Sequence, residues 1–113
     1  MDTIDFIDID AALKRVGGNM GLYKRLLNTF TSGDYSEKIL SAFQNSDMED
    51  ADRQVHALKG VAANLSLIKL HNICIELEKM IKAGESDFTT ILSEMKADYE
   101  KTLTLVRELI EAN

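Results

Sequence analysis

His56, Lys59 and Gly60 are the residues whose types and spacing indicate chemistry in this sequence. At about 100° of rotation per residue in an α-helix, Lys59 lies roughly 60° to one side of His56 and Gly60 roughly 40° to the other. The opposite face of the same helix is apolar and consists of Ala51, Val55, Leu58, Ala62 and Leu65. Such a helix buries its apolar stripe and exposes the histidine, the lysine and the glycine.

An exposed histidine offers a nucleophilic ring nitrogen, because imidazole is largely uncharged at neutral pH. A lysine one turn away can contact phosphoryl oxygens and offset charge in a transition state. Glycine inside a helix costs about 0.5 to 1 kcal/mol relative to alanine, so Gly60 favours the close approach of another molecule. We therefore expect His56 to attack phosphorus, Lys59 to stabilise the phosphoryl group, and Gly60 with Ala63 to leave room for the donor.

Other catalytic sites are not predicted. Phosphate-binding glycine loops, nucleophile elbows and kinase motifs are missing, so we expect no nucleotide binding and no autokinase activity. A di-iron site in a helical bundle needs a glutamate three residues before each of two histidines, and Arg53 and Ile68 stand in those places. His71 with Cys74 has no second ligand pair for zinc. The sequence predicts no metal site and no cofactor of its own.

The composition favours a single all-α domain over residues 1–113. The chain has 113 residues, 45% of them hydrophobic, with no Pro and no Trp, and it shows no sustained alternation of apolar and polar residues. The net charge of -6 argues against nucleic acid and against an acidic membrane surface. The N-terminus shows no basic region followed by an apolar run, and no window approaches the ~20 apolar residues of a membrane span. We expect a cytoplasmic protein, with its single cysteine, Cys74, as a buried thiol.

The N-terminal part of the sequence predicts a short helix and then a long one. Asp8 or Asp10 is the expected N-cap of the short helix, which ends at Gly17-Gly18. Asn19 is the expected N-cap of the next helix. Apolar residues at helical spacing continue to Phe43, which favours one long helix, bent at Ser32-Gly33-Asp34.

The helix that carries His56 is predicted to begin at a capping box of Ser46 and Glu49 and to run to about Asn64. Leu67-Ile68-Lys69 is the expected tight connection to a helix that continues to Gly84. The short connection makes the two helices antiparallel neighbours.

Ser86 or Asp87 is expected to cap a last helix that continues nearly to Asn113. The predicted fold is an antiparallel four-helix bundle with a short additional N-terminal helix. We expect His71 at the surface or at its boundary. Charged residues at helical spacing predict a solvated face with ion pairs within one helix: Glu76, Glu78, Lys79 and Lys82.

The run from His56 to Gly60, with Ala63, Asn64 and Leu65 after it, resembles the signature of histidine phosphotransfer (HPt) domains of multistep phosphorelays. Residues 70–84, with Cys74, Leu77, Glu78 and Ala83-Gly84, resemble the helix that follows in that family. Ile9-Asp10 and residues 13–30 resemble its usual entry. In the family a glycine often follows the leucine that corresponds to Leu65. Ser66 stands there in this sequence, and we expect it to cap the next helix.

The resemblance implies that His56 is the phosphoacceptor, Lys59 the phosphate-stabilising cation and Gly60 the residue that keeps the approach open. It also implies a monomeric relay between aspartates on receiver domains of response regulators and hybrid sensor kinases, with Mg²⁺ on the partner. Two alternatives stay open. One is a helical interaction module in which His56 is incidental, and the other is an acyl-carrier-like bundle with Ser66 as the attachment residue.

Overall fold

The computed structural model describes residues 3–112, which form helices joined by short turns. In chain order the helices are α1 (Thr3–Phe6), α2 (Ile9–Arg15), α3 (Met20–Thr31), α4 (Tyr35–Gln44), α5 (Met48–Leu65), α6 (Ile68–Lys82) and α7 (Thr89–Glu111). Within this range no strand forms, and one isolated β-bridge pairs Ile7 with Leu67. No helix in the described part of the chain is long and apolar enough to cross a membrane.

The core is an antiparallel four-helix bundle, as the sequence predicts. α3 and α4 together form its first member, α5 packs against α4 and α6, and α7 packs against α6 and α3. The largest fully buried side chains include Tyr23, Phe30, Leu58, Leu77 and Met95, and the Cys74 thiol is buried as expected. The N-terminal addition consists of two short helices, whereas the sequence predicts one. The sequence does not indicate α1, because its four residues are too few to show a helical pattern.

The expectation of one bent helix through Ser32-Gly33-Asp34 is wrong, because α3 and α4 are separate helices. Asp34 adopts left-handed backbone with φ 53°, which ends the helical path. The Tyr35 ring folds back over Gly33 and stacks on Phe30 at 5.9 Å between ring centroids. The first backbone N–H of α4 donates to the hydroxyl of Tyr99 on α7, so a residue distant in sequence stabilises the start of this helix.

The predicted capping box at Ser46 and Glu49 is also wrong. Asp47 is the N-cap of α5, and its carboxylate accepts a hydrogen bond from the Asp50 N–H at 3.0 Å. Ser46 has a φ of 55°, outside the extended region in which an N-cap residue normally lies. The capping residue is therefore shifted by one position, and the orientation of the His56 helix is unaffected.

Ser66 and Leu67 alone join α5 to α6, which is a shorter connection than the sequence predicts. Ser66 has a φ of 57°, the left-handed conformation that glycine adopts most easily. Its hydroxyl accepts a hydrogen bond from Arg15, and its carbonyl accepts one from the N–H of Asp8 at 2.9 Å. The expectation that Ser66 caps α6 is wrong, because Leu67 is the N-cap and provides no side-chain hydrogen bond.

Side-chain hydrogen bonds identify the remaining helix starts. Asp8, not Asp10, caps α2 by accepting from the N–H of Ala11 at 3.0 Å, and Asn19 caps α3 as predicted. At α7 the N-cap residue is Phe88, but the Asp87 carboxylate accepts from the Thr89 N–H at 3.0 Å. Of the two sequence alternatives there, Asp87 is thus the residue that stabilises the first turn.

Candidate functional site

His56 and Lys59 lie on the outer face of α5, as the spacing predicts. The five apolar residues of the opposite face are buried, which fixes the rotation of α5 in the bundle. The side chain of His56 is 74% exposed and that of Lys59 is 29% exposed. The imidazole is accessible from solvent, while the lysine stem lies partly against the neighbouring helix.

Glu78 of α6 connects these two side chains. One carboxylate oxygen lies 3.2 Å from Nδ1 of His56, and the other lies 2.6 Å from Nζ of Lys59. The Glu78 side chain is only 11% exposed, so solvent cannot readily replace either contact. A single buried carboxylate thereby fixes the histidine and the lysine relative to each other across the α5–α6 interface.

Glu78 is ionised in this site. Burial alone raises the pKa of its carboxyl group, but the hydrogen bonds from Lys59 and His56 outweigh burial and hold the pKa below its usual value. A carboxylate in this state accepts hydrogen bonds and donates none. Glu78 is therefore a negative charge and a double acceptor at neutral pH.

The contact with Glu78 assigns the roles of the two ring nitrogens of His56. Because the carboxylate only accepts, Nδ1 carries the hydrogen and donates to Oε2 of Glu78. In a neutral imidazole the lone pair available to an electrophile is then on Nε2. The arrangement offers Nε2 as the nucleophile and keeps the ring orientation fixed through Nδ1.

Gly60 lies one turn beyond His56, where packing does not require a glycine. Gly60 is exposed, and a Cβ built at this position meets nothing within 4 Å. The absence of a side chain leaves the helix backbone open beside the imidazole, and the role of Gly60 in access stays a prediction.

Sequence reasoning named Glu78 among the residues that resemble the family but did not assign it to the site. The expectation that it belongs to a solvated face with pairs inside one helix is wrong. Its neighbours in that group, Glu76, Lys79 and Lys82, are exposed as predicted. The signal was present, since Glu78 lies four residues after Cys74 and three before Ile81, within the apolar stripe of α6. A carboxylate in such a stripe needs a charged partner, because a buried charge without one is costly.

Two further candidates lie outside the site. His71 is half-buried near the other end of α6, beside Arg15 and Ser66, so the surface-boundary expectation is confirmed. Cys74 lies one turn from Glu78, and burial, followed by the charge of Glu78, raises its pKa to about 12. The thiol is protonated and does not act as a nucleophile.

Comparison with family models gives a match over residues 29–112, to the Hpt domain. This chain belongs to the Hpt domain family. Hpt domains carry phosphoryl groups on histidine in two-component signalling, interact with receiver domains and have no kinase activity of their own. The match contains His56, Lys59, Gly60 and Glu78, whereas α1, α2 and most of α3 precede it. Comparisons with curated proteins and with solved structures gave no match.

Proposed function

We propose that this Hpt domain relays a phosphoryl group from the aspartate of one receiver domain to that of another, with Nε2 of His56 as the intermediate acceptor. The observation that carries the proposal is the Glu78 carboxylate, which contacts both Nδ1 of His56 and Nζ of Lys59 on an otherwise open helix face. Hydrogen bonding through Nδ1 leaves Nε2 as the nucleophile, and Gly60 beside it leaves room for a receiver.

The transfer needs no proton movement. Nε2 of His56 attacks the phosphorus of the receiver's aspartyl phosphate, and a nitrogen–phosphorus bond forms as the bond to the carboxylate oxygen breaks. The electron pair of the broken bond stays on the aspartate, and the imidazole ring becomes positively charged with its Nδ1 hydrogen in place. The reverse sequence with a second receiver returns the electron pair to Nε2.

Lys59 is proposed to stabilise the phosphoryl oxygens. Its ammonium group already lies one turn from His56, where Glu78 fixes it. A lysine acts on phosphate as a point charge on a flexible stem, so it can contact the phosphoryl group from this position. We expect Lys59 to offset the negative charge that develops during transfer.

The partner supplies the rest of the catalytic centre. In phosphoryl transfer most of the rate enhancement comes from positioning and electrostatics, which two proteins can share. We propose that the receiver holds the Mg²⁺ and the acidic residues, that this domain contributes no cofactor, and that it acts as a cytoplasmic monomer. The receivers belong to response regulators or hybrid sensor kinases.

The acyl-carrier alternative is disfavoured by the position of Ser66. This serine is buried, with 8% of its surface exposed, and its hydroxyl is hydrogen-bonded to Arg15. An attachment serine must be accessible to the enzyme that modifies it. The hypothesis of an interaction module with an incidental His56 is decided by the experiment that follows.

The decisive measurement is phosphorylation by a receiver domain charged with acetyl phosphate and Mg²⁺. We expect an acid-labile, alkali-stable phosphoprotein from the parent and from His71→Gln, and none from His56→Gln. His71→Gln is the matched control because it removes the other imidazole of the chain. Absence of label in the parent, or loss of label in His71→Gln alone, would overturn the proposal.

A further inference from the structure

We infer that Arg15 of α2 is a positioning residue for phosphoryl transfer, because it holds the C-terminal end of the helix that carries His56. The inference rests on the proposed function and adds to it a residue from the N-terminal part of the chain. Arg15 precedes the region that matches the family model, which begins at residue 29.

The backbone carbonyls at the end of α5 show why this helix needs an outside partner. The last four carbonyls of an α-helix have no N–H of the same helix to accept from. Two of them accept from N–H groups of the turn that follows, at 2.8 Å for Ala62 and 3.3 Å for Ala63. The other two, those of Asn64 and Leu65, accept from no backbone N–H within the described residues.

Side chains of the N-terminal helices donate to both of these remaining carbonyls. Nη1 of Arg15 donates to the Asn64 carbonyl at 3.2 Å. The hydroxyl of Tyr23, on α3, donates to the Leu65 carbonyl at 2.8 Å. The Arg15 guanidinium also places a positive charge at a helix C-terminus, where the helix dipole favours it. The end of α5 therefore depends on donors that lie 49 and 42 residues earlier in the chain.

The conformation of Ser66 increases the importance of the Arg15 contact. Its φ of 57° is left-handed, a conformation that glycine adopts freely and that serine adopts at a cost in free energy. Nη1 of Arg15 donates to the Ser66 hydroxyl as well as to the Asn64 carbonyl. Removing Arg15 leaves one helix-end carbonyl without its donor and takes away the side-chain contact that holds the left-handed serine. The last turn of α5 should then open more often.

The end of α5 belongs to the surface that a receiver must approach. Ala63 lies about 20° from His56 around the helix and about two turns beyond it. Ala63 and Asn64 are both exposed. Opening of the last turn therefore disturbs the face beside the imidazole, whereas the nucleophile stays in place. We expect loss of Arg15 to weaken the reaction with a receiver and to leave the reaction with a small donor unchanged.

A direct contact between Arg15 and the receiver is the competing explanation, because Arg15 is exposed. The substitution Ser66→Gly separates the two. Glycine adopts the left-handed conformation without help, so it removes much of the need for Arg15 if the guanidinium acts through the turn. Glycine at this position cannot replace a charge that touches the receiver.

The first measurement is amide hydrogen exchange, residue by residue, in the unphosphorylated protein. In Arg15→Ala, the Leu67 N–H that donates to Ala62 should exchange about tenfold faster, because the end of α5 loses hydrogen bonds from a charged donor. The Leu58 N–H, in the middle of α5, should change far less. Equal acceleration at Leu58 and Leu67 would mean that Arg15 contributes only to global stability, and it overturns the inference.

The second measurement is phosphoryl transfer from a receiver charged with acetyl phosphate and Mg²⁺. In Arg15→Ala, kcat/KM should fall by about fivefold through a higher KM, while labelling by phosphoramidate keeps the parent rate. Lys14→Ala is the matched control, since it removes the same charge from the neighbouring exposed position of α2 and should match the parent in both assays. In the double variant with Arg15→Ala and Ser66→Gly, transfer and hydrogen exchange should both return most of the way to the parent values.

A double variant that regains protection from hydrogen exchange but not transfer shows a direct contact of Arg15 with the receiver and overturns the inference. Transfer from the receiver at the parent rate in Arg15→Ala overturns it as well. Failure of the proposed function has a different signature. A parent protein that gains no label from charged receivers disproves the relay, while exchange at Leu67 still decides whether Arg15 holds the end of α5.

Discussion

Gly60 and Gly33 are the same residue type in two regions that need it for opposite reasons. A Cβ at Gly60, on the outer face of α5, meets nothing within 4 Å. A Cβ at Gly33, between α3 and α4, would lie 2.1 Å from Cε2 of Tyr35. The fold does not require the first glycine, which leaves space for a molecule from outside. The second accommodates a ring that is already part of the structure.

The surroundings of the two glycines differ in the same way. Next to Gly60, the imidazole of His56 is 74% exposed. Next to Gly33, Tyr35 stacks on Phe30, and the Phe30 and Tyr99 rings lie 5.6 Å apart in the core. Substitutions on the α5 face should therefore change phosphoryl transfer and leave the stability of the fold nearly unchanged. Substitutions at the α3–α4 junction should lower the stability and leave phosphoryl transfer unchanged.

His56→Gln tests the α5 face most severely. We expect complete loss of phosphorylation with a change in unfolding free energy within about 0.5 kcal/mol, because the side chain is mostly exposed. Radiolabel transfer from a charged receiver and urea unfolding measure the two effects. A large loss of stability would mean that His56 belongs to the packing of the bundle.

Gly33→Ala tests the junction. The new methyl group displaces the Tyr35 ring, and overpacking of this kind costs about 1 to 3 kcal/mol of unfolding free energy. Phosphorylation of the folded protein should match that of the parent. In the double-mutant cycle with Tyr35→Ala, the cost of Gly33→Ala should largely disappear. An undiminished cost there would show that the ring is not the reason for the glycine.

Gly60→Gln places a long side chain beside His56 at an exposed position where a Cβ meets nothing within 4 Å. We expect transfer from a receiver to slow by about tenfold, which corresponds to about 1.4 kcal/mol. Phosphorylation by phosphoramidate, a small donor, should keep the parent rate. Equal rates with the receiver for Gly60→Gln and the parent would rule out steric access as the reason for this glycine.

Gly60→Ala separates helix stability from access. Alanine is the better helix former and meets no neighbour here, so unfolding free energy should rise by up to about 1 kcal/mol. Thermal and urea unfolding of the parent and variant give the difference. A decrease in stability would indicate a contact at Gly60 that the structure does not contain.

Lys59→Ala should slow transfer without abolishing it, since the nucleophile remains. The same substitution should also make the free energy of unfolding depend less on acidic pH. The folded pKa of Glu78 is lowered, so its stabilisation is fully present above the unfolded value of about 4.3 and is lost as the pH falls through the folded value. Without Lys59, the difference between the folded and the unfolded pKa of Glu78 becomes smaller. Urea unfolding at about pH 7 and about pH 3 should show that the free energy of unfolding decreases less in Lys59→Ala than in the parent.

The features predictable from the sequence are those set within one helix. The apolar stripe from Ala51 to Leu65 determines that His56, Lys59 and Gly60 face outward, because helical rotation per residue is nearly constant. The Asn19 cap was predictable for the same reason, since its carboxamide contacts an N–H three residues later. Local periodicity thus accounts for the bundle and for the predicted half of the site, and local capping accounts for the start of α3.

The tertiary structure alone decided the contacts made between helices. Glu78 meets His56 only because α5 and α6 pack at one particular rotation and register, which the pattern of α6 by itself does not specify. The Tyr99 hydroxyl at the start of α4 and the Arg15 contact to Ser66 likewise join residues far apart in sequence. Helical periodicity determines which residues share a face, whereas packing determines which faces meet and at what distance.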